Sequence, residues 1–326
     1  MLFLPLLLAW LTPACPWPNS SLGVHPFLTF DSGLNDSAIV SAARVVSYVW
    51  GGHSPRVWAS ASPSTIVSAY IPYNRDPDAS HTLAWWKARN PSWVLYECDR
   101  VTPVVVDPAN TNIALDVSNP DVVAWQVATY AASFAAQGYS AVAADNFTPF
   151  NFFKACGVWA DAATWRPLYN GTLVEDPAYE AAQLGWLASF RAALHGLAPP
   201  LLLVPNFSVG GLPAGSPTAA GVLAGVDGVL DERGFTGWGN GFISNSEWVN
   251  VRAWARALQA AGKAFFSVNE LGTAAAPALT PAARNFIVAS WAMLNEGASG
   301  VFMACVQCYG WWEPQPEYGL RVGATV

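Results

Sequence analysis

The sequence predicts an α/β protein built as a single (β/α)8 barrel, the TIM-barrel architecture. Short runs of β-branched and aromatic residues alternate with helical segments from end to end, the pattern of repeated β/α units around a parallel sheet. The runs are almost continuously apolar, as expected for parallel strands buried on both faces. The length of 326 residues suits one barrel of about 250 residues with insertions. We therefore expect one barrel domain over residues 25–326.

Eight strands can be counted along the chain. They are predicted at residues 27–31, 65–70, 93–97, 141–145, 201–205, 228–231, 264–268 and 300–304. In a closed barrel the carboxyl ends of all strands meet at one face, where the functional groups of this fold stand. Because closure leaves no mark in a sequence, an open doubly wound sheet is the alternative fold.

The segments between the strands have helical periodicity, each with one apolar face. Apolar residues recur at helical spacing in Val123, Val127, Tyr130 and Phe134, and again in Trp248, Val251, Ala255 and Leu258. Asn119 is a candidate cap before Pro120, and Gly138 and Gly262 stand where helices are expected to end. The stretch 213–225 is rich in Gly, Pro and Ala, so we expect the fifth helix to span only a turn or two.

The N-terminal segment and the cysteines point to the secretory pathway. An apolar run ending at small residues predicts a signal peptide over residues 1–15; because no positive charge precedes the run, a buried N-terminal segment is the alternative. Five Asn-x-Ser/Thr sequons favour a secreted glycoprotein, at Asn19, Asn35, Asn146, Asn170 and Asn206. Beyond the signal, an even set of cysteines is compatible with disulfides, namely Cys98, Cys156, Cys305 and Cys308.

Composition and missing motifs exclude several classes of function. The net charge of -7, with only 15 Lys and Arg, argues against a nucleic-acid partner. Beyond the signal, no apolar run reaches the length of a bilayer span, so we expect no stable membrane insertion of the mature chain. The four histidines lack metal-ligand spacing, and neither a G-x-G-x-x-G nor a G-x-S-x-G motif occurs. We expect no metal and no cofactor, and the oligomeric state stays open.

Carboxylates and amides follow most of the predicted strands, which is lopsided for a chain with only 11% charged residues. They are Asp31 at the end of the first, Glu97 and Asp99 at the end of the third, Asp145 and Asn146 at the end of the fourth, Asp231 and Glu232 at the end of the sixth, and Asn269 and Glu270 at the end of the seventh. Each is also a residue type that forms turns and caps helices. At the mouth of a barrel, however, they would form one acidic site.

Such a site suits the hydrolysis of a glycosidic bond. The reaction needs one carboxylic acid to protonate the leaving oxygen and one carboxylate to attack or to activate water. We predict Asp145 together with Glu232 or Asp231 as this pair, and the other strand-end residues as substrate-binding groups. The chain also has 17 Trp, whose flat faces suit a pyranose ring. Trp238 and Trp311 are the preferred platforms.

Four short motifs carry a family resemblance: residues 93–100, Asp-Val-Ser-Asn-Pro at 116–120, Ala-Asp-Asn at 144–146, and residues 228–235. In their order and spacing the chain resembles hypothetical glycoside hydrolase family 15 and, more distantly, the glycoside hydrolase family 114 endo-α-1,4-polygalactosaminidases. The resemblance implies a secreted barrel whose acids after strands 4 and 6 are catalytic. Asp145 then matches the nucleophile or stabiliser, and Glu232 or Asp231 the proton donor.

The sequence therefore favours an enzyme that hydrolyses O-glycosidic bonds of a poly- or oligosaccharide. Two alternatives remain. One is a carbohydrate-binding or cell-wall-associated barrel without turnover, since fold alone does not guarantee function. The other is a barrel lyase or isomerase, which unsaturated or rearranged sugar products would reveal. The sugar, the linkage and the stereochemistry are not predicted.

Overall fold

The computed structural model describes Trp17 and residues 23–107, 112–272, 279–306, 308–310 and 312–321. The predicted signal peptide and Trp311 lie outside these residues. The described strands are β1 (Phe27–Thr29), β2 (Tyr48–Trp50), β3 (Ile66–Pro72), β4 (Leu95–Tyr96), β5 (Val105–Asp107), β6 (Asn112–Ile113), β7 (Ala141–Asp145), β8 (Gly157–Trp159), β9 (Trp165–Pro167), β10 (Leu202–Pro205), β11 (Gly228–Asp231), β12 (Ala264–Glu270) and β13 (Ser299–Ala304).

Eight of these strands run parallel in two sheets. One sheet has the order β1-β2-β3-β7-β10 and the other the order β11-β12-β13. Two isolated parallel bridges join the edges of the sheets, Asn206 to Leu230 and Pro26 to Val301. The protein thus has an α/β fold built on parallel sheet.

Helices alternate with the parallel strands. They are α1 (Asp36–Ala42), α2 (Pro55–Ala61), α3 (Leu83–Arg89), α4 (Pro120–Gln126), α5 (Ala132–Gln137), α6 (Pro177–His195), α7 (Pro217–Gly225), α8 (Asn245–Ala260) and α9 (Pro281–Ala292), with a π-turn at Val127–Ala131 between α4 and α5. The predicted boundaries at Asn119 and Gly138 are confirmed. The Asn119 side chain accepts from the amide of Asp121, and Gly138 takes the left-handed conformation after α5.

The hydrophobic residues form layers on the two faces of the parallel strands. On one face the strands pack against helices through fully buried rings such as Trp186, Trp254 and Trp291. On the other face side chains from both sheets meet, as where Tyr48 stacks on Phe266 with ring centroids 4.2 Å apart. Alternate residues of one strand therefore serve different layers. In the described chain, none of the helices has both the length and the hydropathy required to cross a bilayer.

The prediction of a third parallel strand at residues 93–97 is wrong. Leu95–Tyr96 instead pairs antiparallel with β8, in a small sheet of order β4-β8-β9. The parallel strand that occupies the position between β1 and β3 is Tyr48–Trp50. An apolar run shows that a strand is buried but not which strand it pairs with, and a three-residue run followed by Gly51 gives little periodic signal.

The small sheet belongs to an insertion formed by the long segments that follow β3 and β7. We call residues 73–119 and 146–176, in their described part, the insertion module. A disulfide between Cys98 and Cys156 joins the two segments across 58 residues of sequence. The second disulfide joins Cys305 and Cys308, just after β13. Both segments leave the carboxyl ends of parallel strands, so the module stands at the end of the sheet where functional groups of barrel folds are found.

Candidate functional site

Two carboxylates from different strand ends share one amide. The Nδ2 of Asn206, which follows β10, donates to Oδ1 of Asp145 at 3.0 Å and to Oε2 of Glu232 at 2.8 Å. Because both hydrogen bonds meet at one nitrogen, the two carboxylate oxygens are at most 5.8 Å apart, the sum of the two lengths. The structure thus brings together the predicted residues of the fourth and sixth parallel strands.

Asp145 is held by four donors. Besides Asn206, it accepts from the Tyr70 hydroxyl at 2.7 Å, from the backbone N–H of Asn146 at 2.8 Å and from the Asn146 side-chain amide at 3.0 Å. Asn146 has a positive φ of 61°, a conformation that Asn tolerates better than most residues, and this turn lets it contact Asp145 through both groups. Four donors stabilise negative charge on the carboxylate and fix its orientation.

Glu232 is the half-buried acid of the Asp231-Glu232 pair. Its Oε2 accepts from Asn206, and its Oε1 accepts from the Tyr309 hydroxyl at 2.5 Å. Burial, and after it the negative charge of Glu232, raises the pKa of Tyr309 well above its usual range, with smaller contributions from Glu270 and Asp145. Glu270, itself buried, contributes to this electrostatic environment, and the Tyr309 phenol remains a donor.

Asp231 lies on the opposite face of β11. It is fully buried, as is Val229 two residues earlier, which packs in the layer against the helices. Its Oδ1 accepts from the backbone N–H of Arg233 at 3.2 Å, whereas its Oδ2 has no hydrogen-bond partner among the described residues. Burial raises the pKa of Asp231 to about 7. The alternation of side chains along a strand thus separates the two neighbouring acids.

A cavity of about 370 Å³ opens beside the paired carboxylates, a volume within the range of ligand pockets. Asp145 is not among its lining residues, and the polar ones are Asn146, Thr148, Asn206, Ser208, Glu232 and Arg233. Phe152 and Trp238 line it as well, and their side chains are 57% and 45% exposed. The guanidinium of Arg233 lies over the Trp238 ring, 5.3 Å from its centroid, and orients it. A larger cavity of about 680 Å³, between α4 and α6, has no ionisable residue in its lining.

Two of the predicted substrate-binding residues have structural partners. Asp31 is buried and accepts from the backbone of His53 and Ser54 and from the Trp58 indole, so it fixes the start of α2. Asn269 is fully buried, and its side chain bonds the backbone of Phe235 and Ser267. These contacts occupy both side chains within the fold.

The predicted residues after strand 93–97 lie elsewhere, because that strand is part of the insertion module. Asp99 is exposed and its carboxylate accepts from the backbone of Val101 and Thr102, closing a turn. Glu97 opens the same turn with a backbone hydrogen bond to Thr102. Neither stands at the end of a parallel strand.

Three residues of the site were missed in the sequence analysis. Asn206 follows a correctly predicted strand. Its place at a strand end marks it as a candidate site residue, although the sequence analysis names it only as a sequon. Its amide nitrogen is buried and bonded to two carboxylates, which leaves no room there for a glycan. Tyr70 lies near the end of β3, which runs two residues beyond the prediction. Tyr309 follows Cys308, and no sequence signal marks it.

Metal-binding groups are not assembled here. Across the residues that the structure describes, no set of three or more His, Cys, Asp or Glu side chains is arranged to hold a metal ion. The C-x-x-C at Cys305 and Cys308 is a disulfide.

Comparison with known proteins finds likeness in structure alone. No family model matches the chain, and no curated protein matches it in sequence, so the specific likeness to glycoside hydrolase families 15 and 114 gains no support. A cycloisomaltooligosaccharide glucanotransferase from Paenibacillus sp. is similar in structure, with a TM-score of 0.51 and 11% identity over 80% of this chain and 39% of that one.

A GH36 alpha-galactosidase from Geobacillus stearothermophilus, in complex with raffinose, gives a TM-score of 0.48 and 13% identity over 90% of this chain and 40% of that one. The chain spans about two fifths of the length of both proteins. At 11% identity the likeness to the glucanotransferase is one of fold. The likeness therefore concerns the fold alone, an α/β fold built on parallel sheet.

Proposed function

We propose that this protein is a glycoside hydrolase that cleaves O-glycosidic bonds with Asp145 and Glu232, in a single (β/α)8 barrel spanning residues 25–326. Two observations support closure of the barrel: eight parallel strands in sequence order, and parallel bridges at both junctions between the sheets. The fold shared with the glucanotransferase supports the same architecture. Catalytic groups of such barrels stand at the carboxyl ends of strands, which is where both acids lie.

The proposal is supported most directly by the Asn206 amide, which donates to both Asp145 and Glu232 and so holds the two carboxylates close together. Their nearest oxygens are at most 5.8 Å apart. Carboxyl groups about 5 to 5.5 Å apart are typical of retaining glycosidases, whereas inverting enzymes need about 6.5 to 9.5 Å to admit a water molecule. An oxygen–oxygen distance of at most 5.8 Å is compatible with the retaining geometry, and we propose a retaining reaction in two steps.

The hydrogen bonds suggest a role for each acid. Asp145, with four donors, acts as the carboxylate nucleophile. It attacks the anomeric carbon while Glu232 gives its proton to the leaving oxygen, so that a glycosyl ester forms and the glycosidic bond breaks. Glu232 then takes a proton from water, whose oxygen attacks the anomeric carbon and releases Asp145. Glu270 and Asn146 bind hydroxyl groups of the sugar in this proposal.

Aromatic side chains of the cavity support a sugar as substrate. Trp238 and Phe152 present exposed ring faces beside Glu232 and Asn206, and such faces pack against the apolar side of a pyranose. The two disulfides are compatible with an oxidising compartment. We therefore also propose that the protein is secreted, that its signal peptide is cleaved, and that its accessible sequons are glycosylated.

The proposal is tested with purified protein and a panel of plant, algal, fungal and bacterial polysaccharides. We expect release of reducing sugar by wild type and a loss of at least a thousandfold in Asp145→Asn. Asp36→Asn, a carboxylate at the exposed start of α1, is the matched control and should retain full rate. Sugar binding without any hydrolysis would support the non-catalytic barrel instead, and unsaturated products would indicate a lyase.

A further inference from the structure

The insertion module has a cavity of its own, separate from the one beside Glu232. Its volume is about 440 Å³, and its lining includes Lys87, Tyr96, Arg100, Trp159 and Asp161. The lining joins both segments of the module, since Lys87, Tyr96 and Arg100 follow β3 whereas Trp159 and Asp161 follow β7. The Cys98–Cys156 disulfide ties these two walls together.

Two cations in this cavity have no acidic partner among the described residues. Lys87 and Arg100 are exposed, and neither forms an ion pair with a carboxylate of the described chain. Their positive groups lie near aromatic faces, with Nζ of Lys87 5.6 Å from the Tyr96 ring centroid and the Arg100 guanidinium 5.7 Å from that of Trp165. In a protein of net charge -7, two unpaired cations in one pocket favour an anionic ligand.

Asp161 is a third charged residue of the lining, and its carboxylate is held by neighbouring backbone amides and not by Lys87 or Arg100. Its Oδ1 accepts from the backbone N–H groups of Ala163 and Thr164, both at 2.8 Å, and so closes a local turn. The carboxylate is thereby fixed at the rim of the cavity. There it is an acceptor suited to a hydroxyl group of a polar ligand.

The aromatic walls of the cavity are held in place. Tyr96 is 3% exposed, so its ring is fixed in the module. The indole N–H of Trp159 donates to the carbonyl of Arg100 at 3.0 Å, which couples the platform to the cation. Trp165, which is not itself a lining residue, meets Trp159 edge to face at 5.5 Å and supports that ring. Rings of this kind provide flat apolar surfaces for sugars.

We propose that this cavity is a secondary saccharide-binding site for an acidic sugar unit, one that bears a carboxylate or a sulfate. The Trp159 ring contacts the pyranose, Lys87 and Arg100 bind the acidic group, and Asp161 accepts from a hydroxyl. The segment after β7 also lines the first cavity through Phe152, so one polymer chain that occupies both cavities contacts this segment twice. The inference rests on the proposed function, and it identifies the substrate class as acidic polysaccharide.

The test measures binding by calorimetry in the Asp145→Asn background, where turnover does not consume the ligand. The probes are oligogalacturonate, a sulfated galactan oligosaccharide, and carboxyl-reduced oligogalacturonate as the neutral match. We expect the Lys87→Gln/Arg100→Gln double variant to bind at least one acidic probe ten or more times more weakly, with binding of the neutral probe unchanged. Lys154→Gln removes an exposed cation of the same module outside the cavity lining and should match the parent.

Several outcomes would overturn the inference. They are equal affinity of parent and double variant for both acidic probes, equal weakening for acidic and neutral probes, and displacement of the probe by sodium sulfate at equal concentration. Failure of the proposed function is distinguishable. If acidic probes bind through Lys87 and Arg100 but wild type hydrolyses no polysaccharide, this site stands and the glycosidase proposal fails. If wild type hydrolyses sugar and the double variant binds the acidic probes normally, the glycosidase proposal stands and the secondary site fails.

Discussion

The hydroxyl of Tyr309 donates a 2.5 Å hydrogen bond to Oε1 of Glu232. Tyr309 comes from the segment after β13, whereas Glu232 follows β11, so the bond joins the acid to a different strand end. The Tyr309 ring packs edge to face on Phe30, with centroids 6.0 Å apart. Held in this way, the phenol fixes the side chain of Glu232 at the cavity beside Asp145.

Replacing Tyr309 by Phe should lower kcat/KM by up to about 10-fold, since a hydrogen bond between the phenol and a protonated Glu232 contributes about 0.5 to 1.5 kcal/mol. The ring and its packing remain, so the urea midpoint should change little. Tyr130→Phe removes a similar bond, 2.6 Å to Asp76, outside the site and should leave kcat/KM within twofold. Equal activity of wild type and Tyr309→Phe would show that this bond does not position Glu232.

Replacing Asn206 by Asp should place a third carboxylate between Asp145 and Glu232. Like charges at this distance oppose further ionisation, so the acidic limb of the pH–rate profile should move to higher pH and the neutral-pH rate should fall by at least a hundredfold. Asn35→Asp makes the same change at the exposed cap of α1 and should leave the profile unmoved. An unchanged pH–rate profile in Asn206→Asp would show that the residue at position 206 does not influence the two reacting carboxylates.

Asp231 should make the protein less stable as pH rises. Its folded pKa of about 7 lies above its ordinary value, so between about pH 4 and pH 7 the unfolded chain loses a proton that the folded chain keeps. The free energy of unfolding therefore falls across this window, by at most roughly 4 kcal/mol, and levels off above it. Asp231→Asn should flatten this decline in urea titrations at pH 5, 6, 7 and 8. Identical slopes for variant and wild type would show that Asp231 is not protonated in the folded state.

The Cys98–Cys156 disulfide should stabilise the insertion module. It closes a loop of 58 residues, for which chain entropy gives about 4 kcal/mol. Cys98→Ala/Cys156→Ala should therefore open the module to proteolysis before the parallel sheet unfolds. Cys305→Ala/Cys308→Ala removes the other disulfide, which joins cysteines only 3 residues apart. In this control variant the module should resist proteolysis as well as it does in wild type. Equal proteolysis rates for wild type and Cys98→Ala/Cys156→Ala would contradict this role.

Much of the fold could be predicted because buried parallel strands are continuous apolar runs. Seven predicted strands lie in the parallel sheets, and residues at the ends of two of them, Asp145 and Glu232, meet through Asn206. The run at 93–97 was misplaced because hydrophobicity reports burial and not pairing. Tyr48–Trp50 was missed because three residues carry almost no periodicity.

The site was harder to predict than the fold because its geometry depends on contacts between distant segments. Strand alternation places Asp231 and Glu232 on opposite faces, but which of them faces the cavity depends on the packing of β11. Asp31 has the residue type of a binding group, yet its partners belong to α2. Tyr309 reaches Glu232 from 77 residues away, and no local pattern indicates such a contact.

Covalent trapping shows which carboxylate attacks the sugar, and therefore whether Asp145 is the nucleophile and Glu232 the proton donor. Wild-type protein is incubated with a set of 2-deoxy-2-fluoroglycosyl fluorides, and the modified peptide is identified by mass spectrometry. We expect one glycosyl group per chain, esterified to Asp145, and none in Asp145→Asn. An adduct on Glu232 or Asp231, or no adduct from a sugar that the enzyme hydrolyses, would contradict the account.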